Sequence, residues 1–147
     1  AIEQMRTLNK TARDIMTSFT VHSCTDVTGF GLLGHALEMA KGGGVTLNLE
    51  HENVPLLPQA YELAEMGVLP EGMYRNRRFA ESHVLAAPGV SRAMQDVFYD
   101  PQTSGGLFIA VPEKETSLLL EQLSDALPYT ARVGYVSPAG EYSVEIR

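Results

Sequence analysis

The chain has 147 residues, the size of one domain, and at 44% hydrophobic it can bury a real core. Its 18 acidic residues outnumber 11 basic ones for a formal net charge of −7, which argues against a nucleic-acid binder, where a basic patch is the rule. No apolar run approaches the ~18 residues of a membrane span, no basic-then-apolar leader is visible, and the lone cysteine, Cys24, excludes an intrachain disulfide and suits a reducing cytoplasm.

In chain order, Ile2, Met5, Leu8, Ala12, Ile15, Met16 and Phe19 recur at helical spacing, which predicts one helix over 2–19. Thr20 to Thr28 is β-branched and polar, a short strand or extended loop. Phe30, Leu33, Leu37 and Ala40 predict a second helix over 29–41, stopped by Gly42, Gly43 and Gly44. "VTLNL", Val45 to Leu49, alternates as a strand does. Pro55 and Pro58 introduce a helix over 59–66, ended by Gly67.

Val68 to Arg78 is the least regular segment and carries Arg75, Arg77 and Arg78. A short extended piece is expected over 82–87 and a helix over 90–98. "DPQTSGG", Asp100 to Gly106, is dense turn chemistry. A buried strand over 107–111 follows, then an amphipathic helix over 113–127 with Leu118, Leu119, Leu123, Ala126 and Leu127 inward. Segments 131–136 and 142–146 look like a closing hairpin across "SPAG". Helices and strands in this order would share one core, with helices layered on a sheet. The closing pair favours an α+β fold with a mixed sheet.

Two segments carry candidate chemistry. In "CTDVTGFGLLGH", Asp26 precedes a glycine-bearing helix start. A carboxylate is a hard oxygen ligand, and Mg²⁺ is typically held by one or two carboxylates plus substrate phosphates. A helix start with glycines offers backbone N–H groups to a phosphate. Asp26 with Thr28, Gly29 and Gly31 would set a metal beside a phosphate. The same residues also fit a plain turn, with Thr25, Asp26 or Thr28 as helix cap and glycines for close packing. The string is neither a Walker A loop nor, in its context, a dinucleotide-binding fingerprint. In the second segment, Thr103, Ser104, Gly105 and Gly106 fit either an anion-binding nest or a turn entering a strand. Cys24 has no assignable base and reads as a free thiol. His22, His35, His51 and His83 show no metal-ligand spacing. The three arginines read as a solvated loop, with phosphate or carboxylate binding as the alternative.

Taken together, "CTDVTGFGLLGHALEMA" and "DPQTSGGLFIAV", with "NRRFAESHV" between them, resemble the carboxy-terminal domain of the selenophosphate synthetase (selenide, water dikinase) family. The resemblance runs from the "MRTLNKTA" helix to the final strands. It implies a three-layer α/β/α sandwich like the carboxy-terminal domain of aminoimidazole ribonucleotide synthetase. It also implies an ATP-using enzyme that converts ATP, selenide and water to selenophosphate, AMP and phosphate. Mg²⁺ is the implied metal, and a cytoplasmic homodimer the implied state. Asp26 matches the family's Mg²⁺-binding aspartate, and Thr25, Thr28, Gly29 and Gly31 match the surrounding loop. Cys24 does not match the family's catalytic cysteine.

The family's nucleophile, its lysine and most of its ATP-binding residues belong to an amino-terminal domain. Residues 1–147 are therefore expected to form a single carboxy-terminal domain, partnered by an amino-terminal domain of the same chain and inactive without it. Two alternatives stay open. One is a domain of another ATP-using enzyme of the aminoimidazole ribonucleotide synthetase superfamily. The other is a non-catalytic binding module.

Overall fold

A computed structural model describes all residues, 1–147. The elements in order are α1 (Ile2–Arg6), α2 (Lys10–Met16), β1 (Ser23–Asp26), α3 (Gly31–Gly43), β2 (Val45–Leu49), α4 (Ala60–Glu65), α5 (Glu71–Ala80), β3 (Val84–Ala86), α6 (Arg92–Tyr99), β4 (Leu107–Ala110), α7 (Glu113–Ala126), β5 (Gly134–Pro138) and β6 (Val144–Ile146). The fold is α+β with a mixed sheet. β1 and β4 form an antiparallel pair. The other four strands lie in the order β3-β6-β2-β5, with β2 antiparallel to β5 and parallel to β6.

The layers follow from strand alternation, which sends successive side chains to opposite faces. On β4, Phe108 packs into the main core, whereas Leu107 and Ile109 turn to a second cluster built on Ala12 of α2 and Leu119 and Leu123 of α7. The β1–β4 pair is thus covered by helices on both sides. On the larger sheet, Leu47, Leu49, Val144 and Ile146 share one face and close over Leu33, Ala36 and Leu37 of α3.

Four expectations need correction. The helix over 2–19 is two helices, because Thr7 takes an extended backbone (ψ 120°). α1 buries nothing, and Leu8, between the helices, is 74% exposed. The segment expected to be irregular holds α5, whose inward stripe is Met73, Asn76, Arg77 and Ala80. That stripe has helical spacing, but two of its members are polar, so hydrophobic periodicity misses it. The closing hairpin does not form, because β2 lies between β5 and β6. On α7, Leu118 and Ala126 point to solvent, and Leu119 and Leu123 carry the packing.

Candidate active-site loops

The two segments singled out in the sequence form one unit. β1 and β4 pair with Asp26 opposite Leu107, so each strand delivers its loop to the same end. Beyond the strands, the Val27 amide donates to the Gly106 carbonyl at 3.0 Å and the Gln102 amide to the Thr28 carbonyl at 3.0 Å. Gly31 has φ +71°, and a Cβ there would lie 2.9 Å from the Asp100 carbonyl oxygen. A Cβ on Gly105 would lie 2.3 Å from the Val27 oxygen. Glycine is therefore required at both positions for backbone to meet backbone.

Two asparagines fasten this junction. Asn76 of α5 is buried, and its amide donates to the carbonyls of Gly29 and of Tyr99, each at 2.9 Å. Asn9, ahead of α2, donates to the Gly105 carbonyl at 3.0 Å. Neither asparagine was singled out in the sequence. The only available signal was Asn76 occupying an inward position of α5.

Asp26 is exposed at the end of β1. It lines a shallow concavity of about 490 Å³ with Asn9, Lys10, Arg13, Cys24 and Thr25. Lys10 and Arg13 pair instead with Asp14, at 2.7 and 2.8 Å, and the Asp26 carboxylate takes part in no ion pair. Desolvation, helped by the Asp26 charge, pushes the Cys24 thiol up, so it remains protonated at neutral pH. Thr25 alternates with Asp26 along the strand, and its hydroxyl turns to the Asp26 carbonyl at 3.2 Å. A larger cavity of about 1010 Å³ runs between β4–α7 and the β2–β5 edge, with mainly apolar walls.

Neither Thr25, Asp26 nor Thr28 caps α3: its cap position is Phe30, with no side-chain hydrogen bond. The Thr28 hydroxyl lies 3.2 Å from His35 Nε2, and His35 Nδ1 lies 3.1 Å from Glu38 Oε2. The Gly31 amide donates to the Thr28 carbonyl at 3.0 Å, and Gly31 is buried. Gly31 shapes the loop, whereas Gly29 is exposed. In the second loop, Thr103, Ser104 and Gly106 are exposed, and burial pushes the Asp100 carboxyl up.

The arginines do not form a solvated loop. All three lie on α5, where Arg75 and Arg78 face solvent. Arg77 is buried, ion-paired to Asp96 of α6 and stacked over the Tyr99 ring at 4.7 Å. No group of three or more His, Cys, Asp or Glu side chains gathers to hold a metal. Asp26 therefore fits as one ligand of a cation that takes its other oxygens from phosphates or from other residues. No helix is long and apolar enough to cross a membrane.

Two glycine-bearing loops zipped by backbone, with a free carboxylate beside them, define an α+β domain that presents an exposed carboxylate next to a helix start. The chain belongs to the family of the AIR synthase related protein, C-terminal domain, which it matches over residues 2–147. It is 46% identical over 144 residues to "Selenide, water dikinase 2" of Peptoclostridium acidaminophilum, covering 97% of this chain and 41% of that protein. It is 43% identical over 148 residues to the selenide, water dikinase of Caldanaerobacter subterraneus subsp. tengcongensis, covering 100% and 43%. The corresponding protein of Pelobacter propionicus is 46% identical over 122 residues, covering 83% and 35%. The chain thus spans about two-fifths of the length of the first two relatives.

Proposed function

We propose that this chain is the carboxy-terminal domain of a selenide, water dikinase, an enzyme that makes selenophosphate, AMP and phosphate from ATP, selenide and water. The observation that carries the reading is the unpaired Asp26 carboxylate at the edge of the zipped loops. A carboxylate kept free of Lys10 and Arg13 is available to a hard cation. Asp26 would hold Mg²⁺, with Thr28 on the same loop, and Gly29 would line the path of the nucleotide phosphates. Thr25 and Gly31 shape the strand end and the turn. Mg²⁺, when bound, neutralises phosphate charge.

The nucleophile and the remaining metal ligands come from an amino-terminal domain of the same chain, which supplies the residues this portion does not have. The complete enzyme is a cytoplasmic homodimer, and the 147-residue chain alone does not turn over ATP.

The test uses the complete gene product, wild type beside Asp26→Asn, with Mg²⁺, ATP and selenide, followed by phosphorus NMR. Wild type should form selenophosphate and AMP. Asn should abolish turnover and leave the melting temperature unchanged, since the carboxylate is exposed and unpaired. Full activity in the Asn variant would reject Asp26 as a ligand. No selenophosphate from wild type would reject the dikinase reading.

A further inference from the structure

Thr28, His35 and Glu38 form a continuous chain of hydrogen bonds. Thr28 sits on the loop two residues beyond Asp26, and His35 and Glu38 occupy successive turns of α3. The His35 side chain is 8% exposed, and the Phe30 ring packs against it in a T-shaped contact at 5.7 Å between centroids. Its two ring nitrogens meet Thr28 Oγ1 at 3.2 Å and Glu38 Oε2 at 3.1 Å.

The direction of the hydrogen bonds follows from what each group can do. An ionised carboxylate only accepts, so Nδ1 must carry the proton that it shares with Glu38. In the neutral ring Nε2 is then an acceptor, and the Thr28 hydroxyl must donate to it. The one proton of that hydroxyl is spent, and Oγ1 offers only lone pairs to anything else. A hydroxyl in that state repels a bare phosphate oxygen and suits a cation or the protons of its bound water.

We propose that His35, braced by Glu38, is a positioning residue that fixes Thr28 Oγ1, two residues after Asp26 on the same loop, as an oxygen acceptor for the cation rather than a donor to a phosphate. The inference rests on the reading of this loop as a Mg²⁺-dependent site, and it refines the part that Thr28 plays there. His35 acts through Thr28 and touches neither metal nor nucleotide. The histidine–carboxylate arrangement is of the kind that orients metal ligands from behind.

Two readouts test it in the complete gene product. The first is the nitrogen-15 spectrum of the His35 imidazole. The relay requires the Nδ1–H tautomer with Nε2 unprotonated, and a proton on Nε2, in the Nε2–H tautomer or the imidazolium, overturns it. The second is the Mg²⁺ concentration for half-maximal ATP cleavage. His35→Phe should raise it about 10–100-fold, the usual cost of losing an orienting partner. Thr28→Val should raise it as much, and Thr28→Ser should restore it towards wild type.

The double variant should be no worse than either single one, because both remove the same interaction. A purely structural His35 would lower the melting temperature and leave the Mg²⁺ requirement unchanged. That result, or additive effects in the double variant, overturns the proposal. If wild type cleaves no ATP, the dikinase reading fails, and the tautomer still decides the relay.

Discussion

Asn76 on α5 donates one amide hydrogen to the Gly29 carbonyl and the other to the Tyr99 carbonyl, each at 2.9 Å. One buried side chain thereby ties the turn that follows Asp26 to the start of the 100–106 loop. Asn76→Leu keeps the branching and the number of side-chain heavy atoms and removes both donors. It leaves two carbonyls unpaired in or near the core, for a loss of about 2–4 kcal/mol. Asn76→Asp should be worse, since a carboxylate would face two carbonyl oxygens. Urea unfolding measures both, and a loss under 1 kcal/mol in either would show that water replaces the clamp.

Gly31 and Gly29 are two residues apart and should respond unequally to alanine. Gly31 has φ +71°, and its Cβ would press on the Tyr99 and Asp100 backbone. The left-handed conformation costs alanine about 1–2 kcal/mol, and overpacking adds about 1–3 kcal/mol. Gly29 has nothing within 4 Å of its Cβ position, so Gly29→Ala should stay within about 0.5 kcal/mol of wild type. Thermal unfolding of the pair is the measurement. Equal effects would mean that the loop shifts to accommodate a side chain at 31.

Arg77 and Asp96 join α5 to α6 through a buried ion pair, and Arg77 Nε is buried with no hydrogen-bond partner. Removing one partner strands the other charge, at about 3–5 kcal/mol. Asp96→Leu should therefore be severely destabilising. Adding Arg77→Met to it should recover much of the loss, because no charge then remains buried. A double variant no more stable than Asp96→Leu alone would mean that the packing of Arg77 on Tyr99 outweighs the charge term.

These residues also show what the sequence could convey. The stretches around α3 and β2 were legible because apolar periodicity marks them locally, although Gly42 and Gly43 lie within α3 and Gly44 alone, in the left-handed conformation, ends it; β1 was legible only as a β-branched polar stretch, a short strand or an extended loop. Both loops were visible as turn-rich strings, each open to a bland reading. Their junction was not visible, because Val27 to Gly106 and Gln102 to Thr28 are backbone bonds, which side-chain identity does not encode. α5 was hidden because Asn76 and Arg77 occupy inward positions. The expected hairpin failed for a related reason. Thr46 Oγ1 donates to the Tyr142 carbonyl and accepts from the Gly140 amide. The 138–143 turn therefore wraps the end of β2 instead of closing a two-strand ladder.

Acid and base should act on the fold through two carboxyl groups in opposite senses. Burial pushes the Asp100 carboxyl above its ordinary value near 3.8. The folded state then holds that proton more tightly than the unfolded chain does, so ionisation destabilises the fold. The penalty is absent below 3.8, grows as pH rises through the raised value, and is complete above it. Asp100→Asn should raise the melting temperature at neutral pH, with the gain vanishing in acid. Glu115 is the reverse. It accepts hydrogen bonds from the Thr20 amide at 2.7 Å and the Thr20 hydroxyl at 3.0 Å, which hold its carboxyl below 4.5. Its contribution is fully present above 4.5 and is lost as pH falls through the lowered value. Glu115→Gln should lower the melting temperature slightly at neutral pH, because the group is exposed and screened, and the deficit should close on acidification. Melting curves of the two variants and wild type from neutral pH into acid would test both signs. A gain in Asp100→Asn that persists below 3.8 would rule out ionisation as its cause.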